Sequence, residues 1–423
     1  MLVYKFGGAS IQHAERYKNA AQIITQADKP LLVVVSAMGK TTNALEQVAE
    51  AFFSGDKNLA LERFDLIKQS HIQLAGDLLQ QPQAVVEALT PFFTEVEWLL
   101  HDKPVRPFDY YYDQIVCCGE LLSTTLLHHY LIELKASAEW IDVRDVIRTD
   151  NTFRDASIDW TYTSTRIQQE VLNRFQSGTG ILITQGFIGA TDENESTTLG
   201  REGSDYTAAV FAHLMHVDSV TIWKDVEAVM SADPRLYPDS VVIPHLNYLE
   251  VIEMAYYGAQ VIHPKTIKPL QNKNIPLLVK SFLNPTLPGT RIDADSPGKL
   301  PPVIIHKNDQ VLIHFQSKDF SFVEGTPAHL LREYFEQHKV KSNIAQHTAI
   351  SLLCCFDDHP QKIDALAGEA ATMFDVTVQR PLRLLTIRHY NQPLLEQLTE
   401  GYKIILEQRT TDTVQCVLEE INH

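Results

Sequence analysis

Apolar runs alternate with helical patterns over the first two thirds of the chain. Four short runs, LLVVVSAM, GILITQGFIG, SVTIWKD and IPLLVKSF, are rich in apolar residues, which is typical of strands buried on both faces of a sheet. Between them, apolar residues recur every three or four positions, which indicates amphipathic helices. We therefore predict strands at 31–38, 180–189, 219–225 and 275–282, helices at 14–27 and 206–216, and a mostly helical segment at 44–100. This alternation predicts an α/β domain with a mainly parallel sheet between helix layers.

The pattern changes at NPTLPGTRIDADSPGKLPP, residues 284–302, where Pro, Gly and Asp are dense and the apolar period is lost. We interpret this segment as a linker. Shorter strand and helix patterns follow it, in an order that predicts two small α+β modules of the βαββαβ type. The predicted domains are therefore residues 1–295 and residues 303–423.

Composition narrows the classes of function. The chain has 423 residues, 44% of them hydrophobic and 21% charged, and a formal net charge of -17. So acidic a chain argues against binding to nucleic acid or to an anionic membrane, because both need excess Lys and Arg. The five cysteines show no disulfide or zinc spacing, and we expect no signal peptide and no apolar run of the ~20 residues that span a bilayer. We predict a cytoplasmic protein.

The first candidate for chemistry is VYKFGGAS, residues 3–10. Lys5 lies inside a predicted strand and is followed at once by Gly7 and Gly8, an arrangement that suits a backbone shaped around an anion. An ordinary glycine turn at an exposed strand end is the alternative.

A second candidate loop, SAMGKTTN, follows a buried strand. A P-loop would need a glycine where the chain has Val34, so that motif is excluded. Ser36 and Thr42 still offer hydroxyls ahead of a helix, where anions bind readily. Simple capping of that helix by Thr42 explains the stretch equally well.

Two further stretches place charged residues beside helices. In TTLGREGSDYTAA, Arg201 lies in a glycine turn, and Ser204 or Asp205 is predicted to cap the next helix. The forked guanidinium of Arg201 suits a carboxylate, although a surface arginine is the plainer interpretation. In CCGELLST, Glu120 lies in an apolar helix and needs a partner, either in the protein or in a substrate ammonium.

A charged loop follows the predicted strand in IWKDVEAVMSADPR. Loops at the carboxyl ends of parallel strands are where open α/β sheets bind ligands. Acidic and basic side chains together suit the ribose and the phosphates of a nucleotide. The alternative interpretation is a charged loop that is solvated and binds no ligand. The loop contains Lys224, Asp225, Asp233 and Arg235.

In this order and spacing, the segments KFGGAS, VVVSAMGKTTN, CCGELLST, GFIGAT, TTLGREGSDYTAA, IWKDVEAVMSADPR, YGAQVIHPKT and LPGTRI resemble the aspartate kinases. The combination of KFGG with a later LGRxGSD is much more specific than either part. The resemblance implies the amino-acid kinase fold, with a sheet of about eight strands, and C-terminal ACT-like (ferredoxin-like) modules. It implies transfer of the γ-phosphoryl group of ATP to the β-carboxylate of L-aspartate, the first step towards lysine, threonine and methionine.

The resemblance also implies roles for individual residues. Lys5 and Asp205 are the expected catalytic residues, with Asp205 orienting Lys5. Aspartate is expected to bind through Arg201 at its α-carboxylate and Glu120 at its ammonium. The rest of the aspartate pocket is expected to be Ser36, Thr42 and Ser204, and the ATP site Lys5, Gly7, Gly8, Lys224, Asp225, Asp233 and Arg235. Mg²⁺ is expected to bridge the phosphates, and its protein ligands are not identified.

Two positions depart from the family pattern. Glu202 stands where the family usually has the second glycine of GRGGSD, and its side chain would hinder phosphate binding unless it points away. Gln260 stands where the family usually has a phosphate-binding lysine. These departures keep open a weakened enzyme or a non-enzymatic amino-acid or nucleotide sensor. A kinase of the same fold with another acceptor is a further alternative.

The ACT-like region resembles that of the family in position and pattern. Gly325 and Asn343 are the candidate remnants of an amino-acid effector site, for which lysine or threonine is the expected ligand. The modules are also expected to join copies of the chain into a homodimer or a higher oligomer.

Overall fold

The computed structural model describes residues 1–28, 30–319 and 326–421. The chain divides into two compact units. The first consists of Met1–Val229, Val242–Ile252 and Val261–Pro297, and the second of Met230–Val241, Glu253–Gln260 and Gly298–His423. Two short segments of the second unit therefore interrupt the chain of the first. The domain limits 1–295 and 303–423 stay a prediction.

The first unit is built around a mainly parallel sheet. In the described residues its strands are β1 (Leu2–Phe6), β2 (Leu31–Val35), β3 (Ala138–Trp140), β4 (Ile181–Gln185), β5 (Ile188–Ala190), β6 (Ser196–Thr198), β7 (Ser219–Lys224), β8 (His245–Asn247), β9 (Leu277–Ser281) and β10 (Thr290–Asp293). Eight of them form one sheet in the order β3–β4–β2–β1–β7–β9–β10–β8, in which β9 and β10 are the antiparallel neighbours. Strands β5 and β6 form a separate hairpin.

Helices lie between these strands along the described chain, and the one that begins at Tyr248 is divided between the two units. They are α1 (Ala14–Thr25), α2 (Thr41–Phe53), α3 (Lys57–Leu78), α4 (Gln83–His101), α5 (Phe108–Val116), α6 (Cys118–Glu133), α7 (Trp160–Arg166), α8 (Asn173–Gln176), α9 (Gly203–Met215), α10 (Tyr248–Tyr256) and α11 (Pro264–Gln271). Short 3-10 turns lie at Gly8–Ile11 and Val143–Asp145, and a π-helical turn at Ile167–Leu172.

Strand β2 shows why the sheet is covered on both faces. All five of its residues are buried. Leu31, Val33 and Val35 belong to the apolar cluster formed with helices α1 to α6. Successive side chains of a strand point to opposite faces, so Leu32 and Val34 face the other side, and α9 contacts both β1 and β2. The amino-acid kinase fold predicted from the sequence is confirmed.

One stretch of the first unit, Phe108–Glu133, is long and apolar enough to cross a membrane by composition alone. It comprises α5 and α6, and 83% of its most apolar window is buried inside the structure. That burial is what a core helix of a globular domain shows.

The second unit contains one antiparallel sheet. Its strands are β11 (Val303–Ser317), β12 (Ser342–His347), β13 (Ser351–Asp357), β14 (Phe374–Arg388), β15 (Tyr402–Arg409) and β16 (Thr413–Glu420), and its helices are α12 (Thr326–Gln337), α13 (Pro360–Ala370) and α14 (Gln392–Thr399). The sheet order is β12–β13–β11–β14–β16–β15. The long strands β11 and β14 pair along most of their length, so two modules share them. The first module has the complete βαββαβ order of a ferredoxin-like unit.

The predicted linker is wrong in part. Residues 284–302 include β10, which pairs with β9 and β8 and lies in the sheet of the first unit. Its sequence, TRID, is too short to show a period amid Pro and Gly. The segment 44–100, predicted to be mostly helical, contains α2, α3 and α4. The strand predicted at 180–189 is two strands, β4 and β5.

Candidate active site

Lys5 and Asp205 form the centre of the candidate site. Lys5 is near the carboxyl end of β1, which lies between β2 and β7 in the sheet. Its Nζ is 2.7 Å from Oδ1 of Asp205, and the two side chains are 12% and 5% exposed. Asp205 is in the first turn of α9, where the helix dipole favours a negative charge. The pair therefore holds an ammonium group at the end of a central strand, where open α/β sheets bind ligands.

The glycines after Lys5 allow two loops to approach each other closely. Gly39 donates its N–H to the carbonyl of Gly8 at 3.0 Å. A Cβ on Gly8 would lie 2.6 Å from the carbonyl oxygen of Gly39 and 2.8 Å from that of Ala37. Both distances are shorter than van der Waals contact allows, so only glycine fits at this position without a shift of the backbone. A Cβ on Gly7 would lie 3.3 Å from Nζ of Lys5. The loop backbone thus passes directly beside the ammonium group.

Glu120 lies in the first turn of α6 and is fully buried. Its Oε1 accepts the N–H of Ala37 at 3.1 Å, whereas Oε2 has no hydrogen-bond partner among the described residues. Burial raises the pKa of Glu120 to about 8, against the opposing effects of the Ala37 N–H and of Lys5. A buried carboxyl oxygen without a partner is suited to an ammonium group from outside the protein.

Two serines connect the loop after β2 to the start of α9. Ser36 donates its hydroxyl to Oγ of Ser204 at 2.9 Å. The carbonyl of Ser36 accepts the hydroxyl of Ser123 at 2.7 Å. The structure therefore brings Ser36, Ser204, Glu120, Asp205 and Lys5 together.

The predicted helix caps are wrong. Helix α2 begins at Thr41 after Lys40, so Thr42 is inside the helix and does not cap it. Helix α9 begins at Gly203 after Glu202, so neither Ser204 nor Asp205 is its cap. No side-chain cap bond forms at either helix start.

Arg201 lies in the turn that precedes α9. Its side chain is exposed, and it forms no ion pair with a described residue. The preceding Gly200 has a φ of +75°, which side-chain-bearing residues adopt at a cost. The turn thus presents an uncompensated guanidinium group to solvent.

Glu202 directs its carboxylate towards another helix. Its φ is 53° and its ψ 29°, the left-handed conformation that glycine adopts without strain. Its Oε2 accepts the N–H of His263 at 2.8 Å, at the start of α11. His263 in turn caps α11 by accepting the N–H of Lys265. The carboxylate of Glu202 is therefore hydrogen-bonded within the protein, to the backbone at the start of α11.

The residues predicted to bind ATP after β7 are not all in one unit. Lys224 donates its ammonium to the carbonyl of Val261, and Asp225 next to it is exposed. Asp233 and Arg235 belong to the second unit, where Nη2 of Arg235 lies 2.7 Å from Oδ2 of Asp233. This contact lowers the pKa of Asp233. Their role in binding ATP stays a prediction.

No group of three or more His, Cys, Asp or Glu side chains suited to a metal ion occurs in the part of the chain that the structure describes. Mg²⁺ usually keeps several waters and binds through one or two carboxylates together with substrate phosphates. Asp205 is the buried carboxylate beside Lys5 and fits such a shared site.

Two features of the site were not predicted from the sequence. The N–H of Ala37 is the partner of Glu120, and a backbone donor leaves no signal in a sequence. Gly186 follows β4, and a Cβ there would lie 2.5 Å from Cβ of Ser204. The glycine after a buried strand in GFIGAT was the available signal, because such a residue often marks a close contact.

The mainly parallel sheet, with Lys5 and Asp205 at the carboxyl end of its central strand, agrees with the amino-acid kinase fold. The amino acid kinase family matches residues 1–281, and the chain belongs to that family. Within it, the chain belongs to the aspartokinases. It is 30% identical over 362 residues to lysine-sensitive aspartokinase 3 of Escherichia coli K12. The matched region covers 84% of this chain and 78% of that protein.

Further comparisons agree with this placement. The chain is 32% identical over 322 residues to the chloroplastic aspartokinase 2 of Arabidopsis thaliana, covering 73% of this chain and 58% of that protein. The crystal structure of E. coli aspartokinase III with aspartate and ADP matches 99% of this chain and 96% of its own, at 26% identity and a TM-score of 0.83. The same enzyme with lysine and aspartate also gives a TM-score of 0.83. A different acceptor is therefore not favoured.

Proposed function

We propose that this chain is an aspartate kinase, which transfers the γ-phosphoryl group of ATP to the β-carboxylate of L-aspartate and forms 4-phospho-L-aspartate. The observation that carries the proposal is the ion pair of Lys5 with Asp205, at 2.7 Å, in a site shared with the buried carboxyl of Glu120. The aspartate and ADP complex of the E. coli relative supports the same substrates.

On the phosphate side, the ammonium of Lys5 neutralises charge that develops on the transferred group, and Asp205 keeps that ammonium in place. The backbone of Gly7 and Gly8 passes beside this ammonium, and its N–H groups donate to the same phosphate oxygens. Mg²⁺ supplies further charge neutralisation when it is bound to the nucleotide. Phosphoryl transfer needs mainly positioning and electrostatic stabilisation, and these groups provide both.

On the aspartate side, the chain offers complementary charges for a zwitterion. Arg201 presents a guanidinium fork for the α-carboxylate. Oε2 of Glu120 accepts the ammonium, which shifts Glu120 to its ionised form. Ser36 and Ser204 orient the substrate through their hydroxyls, and Thr42 completes the pocket.

The decisive experiment measures ADP release from ATP and Mg²⁺ with L-aspartate, with hydroxylamine trapping of the acyl phosphate. We expect turnover by the wild type and a loss of kcat of about 10²–10³-fold in Lys5→Ala, the usual effect of removing one such electrostatic group. Lys273→Ala, which removes an exposed lysine on the same unit, is the control and should keep full activity. Binding of ATP and aspartate without any hydroxamate would instead identify a sensor that lacks the chemistry.

The second unit is proposed to bind an amino-acid effector, lysine or threonine, and to join copies of the chain. The lysine complex of the E. coli relative supports lysine. Of the two candidate residues, Gly325 lies outside the described residues, and the side chain of Asn343 is hydrogen-bonded to Lys307, Gln310 and Asp357. An effector should lower activity and raise the melting temperature; a titration with neither effect for either amino acid would reject this part.

A cytoplasmic location is supported by the cysteines. All five are free and buried. Buried thiols without disulfide partners are typical of proteins kept in a reducing compartment.

A further inference from the structure

A cavity of about 450 Å³ lies in the first unit beside helices α2 and α3. Its wall includes Met38, Lys40 and Thr41, which connect β2 to α2, and residues of α3 from Arg63 to His71. This volume is in the range of small-molecule sites. None of the roles proposed above uses this cavity.

The charge of the cavity wall differs from that of the chain. Lys40 and Arg63 both line the cavity, and none of the described acidic residues does. Arg63 donates to the carbonyl of Gln47 at 3.0 Å, and neither cation forms an ion pair with a described residue. In a chain with a net charge of -17, two uncompensated cations on one cavity wall favour an anionic ligand.

His71 supplies the independent observation. The residue is 0% exposed, and its Nδ1 lies 2.7 Å from the carbonyl of Ile67. A carbonyl only accepts, so Nδ1 carries the proton and Nε2 is left as an acceptor. Burial lowers the pKa of His71 to about 4, so the ring is neutral at pH 7. Nε2 is buried without a hydrogen-bond partner among the described residues, which is unfavourable unless a donor reaches it.

We propose that this cavity binds a small organic anion that carries a hydroxyl or amine donor. Lys40 and Arg63 bind its carboxylate, and Nε2 of His71 accepts its donor. The apolar part of the ligand packs on Met38, Leu66 and Ile67, which also line the cavity.

An occupant would also act on the loop that holds the phosphate site. Gly39 is part of the cavity wall, and its N–H is bonded to the carbonyl of Gly8 at 3.0 Å. This hydrogen bond links the two loops, so a displacement of Gly39 would be passed on to Gly8. This consequence for ATP binding rests on the proposed function, whereas binding to the cavity does not.

The test is NMR of the full chain labelled with ¹⁵N-histidine, with 4-hydroxybutanoate as the probe. Butanoate lacks the donor and 1,4-butanediol lacks the charge, so they are the matched controls. We expect a saturable upfield shift of the Nε2 signal of His71, assigned with the His71→Gln variant. The shift should be weaker with either control. The double variant Lys40→Gln, Arg63→Gln should bind about tenfold more weakly or worse, whereas Lys273→Gln should bind like wild type.

Three outcomes would overturn the proposal. One is the absence of a saturable shift up to about 50 mM probe, far above the concentration at which a specific metabolite site fills. Another is equal binding of 1,4-butanediol or of butanoate. The third is unchanged affinity in the double variant, whose substitutions lie at accessible positions and spare the core. None of these readouts depends on kinase activity, so the two proposals fail separately.

Discussion

Glu202 combines an unfavourable backbone conformation with a favourable contact. Its left-handed φ of 53° costs a residue with a side chain about 1 kcal/mol relative to glycine. Its carboxylate recovers a similar amount by accepting the N–H of His263 at a helix start. The two contributions offset each other, which explains how a glutamate is tolerated at a position that favours glycine.

Two substitutions separate these contributions. Glu202→Ala keeps the strained backbone and loses the contact, so we expect a loss of about 1 kcal/mol in the free energy of unfolding. Glu202→Gly loses the contact but removes the strain, so its stability should be close to wild type. Urea unfolding of both variants measures the difference; equal destabilisation by the two would show that no strain is stored there.

The raised pKa of Glu120 predicts a pH dependence of stability. With a pKa of about 8 in the folded state against an ordinary value of 4.5, the folded protein holds a proton that the unfolded chain releases between these values. Stability should therefore fall as pH rises from about 4.5 to about 8. Glu120→Gln has no proton to lose, so the melting temperature of the variant minus that of wild type should increase across this window. A constant difference would contradict the raised pKa.

The same group predicts proton release on substrate binding. Before binding, Glu120 is mostly protonated at pH 7, and the ammonium of aspartate favours its ionised form. Calorimetric titration with aspartate should therefore show heats that depend on the ionisation enthalpy of the buffer. The dependence should vanish in Glu120→Gln if that variant still binds aspartate, and a wild-type heat that is identical in every buffer would count against the role of Glu120.

At the scale of single residues, sequence reasoning identified the charged groups better than their surroundings. Glu120 stands out because a carboxylate in an apolar helix needs a partner, and Lys5 because it lies in a strand directly before two glycines. The role of Asp205 beside Lys5 follows from the resemblance to the aspartate kinases. Their protonation was beyond reach, because the pKa of Glu120 depends on burial by distant elements and on the N–H of Ala37. The hydrogen bond from the N–H of His263 to Glu202 could not be predicted either, because it joins residues sixty-one positions apart in the sequence.

At the scale of the elements, the loops after β1 and β2 lie so close together that their contact leaves no room for a side chain at Gly8. A Cβ on Gly8 would overlap two backbone oxygens, of Gly39 and of Ala37, and backbone atoms cannot rotate away as a side chain can. We expect Gly8→Ala to destabilise the protein by about 1–3 kcal/mol and to weaken ATP binding by separating the loops. Thermal unfolding with and without ATP measures both effects.

Gly76 provides the matched control for that substitution. It lies in α3, is exposed, and a Cβ there would meet nothing within 4 Å. Gly76→Ala should therefore raise stability by about 1 kcal/mol through helix propensity and leave ATP binding unchanged. If Gly8→Ala behaved like Gly76→Ala, the close approach of the two loops would be refuted.

The predictability of the elements followed their length and burial. Strands β2, β7 and β9 are rich in apolar residues and are predicted within a few residues of their bounds. The short strands β3, β8 and β10 are three or four residues long, so they carry no readable period. They are fixed by pairing with neighbours that are remote in sequence, such as β10 with β8.

At the scale of the whole molecule, the second unit is assembled from three separate pieces of chain. Ile304 donates its N–H to the carbonyl of Ser231 at 2.8 Å. Nη1 of the buried Arg388 lies 3.1 Å from Oε2 of Glu253. These contacts tie the segments Met230–Val241 and Glu253–Gln260 to the C-terminal sheet.

Cutting the chain between the two predicted domains should therefore not release the C-terminal part. A protease site inserted after Gly298, where a Cβ would meet nothing within 4 Å, allows a single cut. We expect the fragments to elute together in size-exclusion chromatography and to separate in urea. An independent C-terminal peak in native buffer would mean that the interrupting segments do not hold the second unit.

This interrupted arrangement also has a consequence for translation. The segments Met230–Val241 and Glu253–Gln260 leave the ribosome well before the residues after Gly298 that complete their unit. At about 5–20 residues per second, the delay is roughly ten to thirty seconds. The parallel sheet can close during that time, while the two segments wait with their apolar side chains uncovered. Until the residues after Gly298 have emerged and folded, chaperones and proteases can therefore reach the apolar side chains of these two segments.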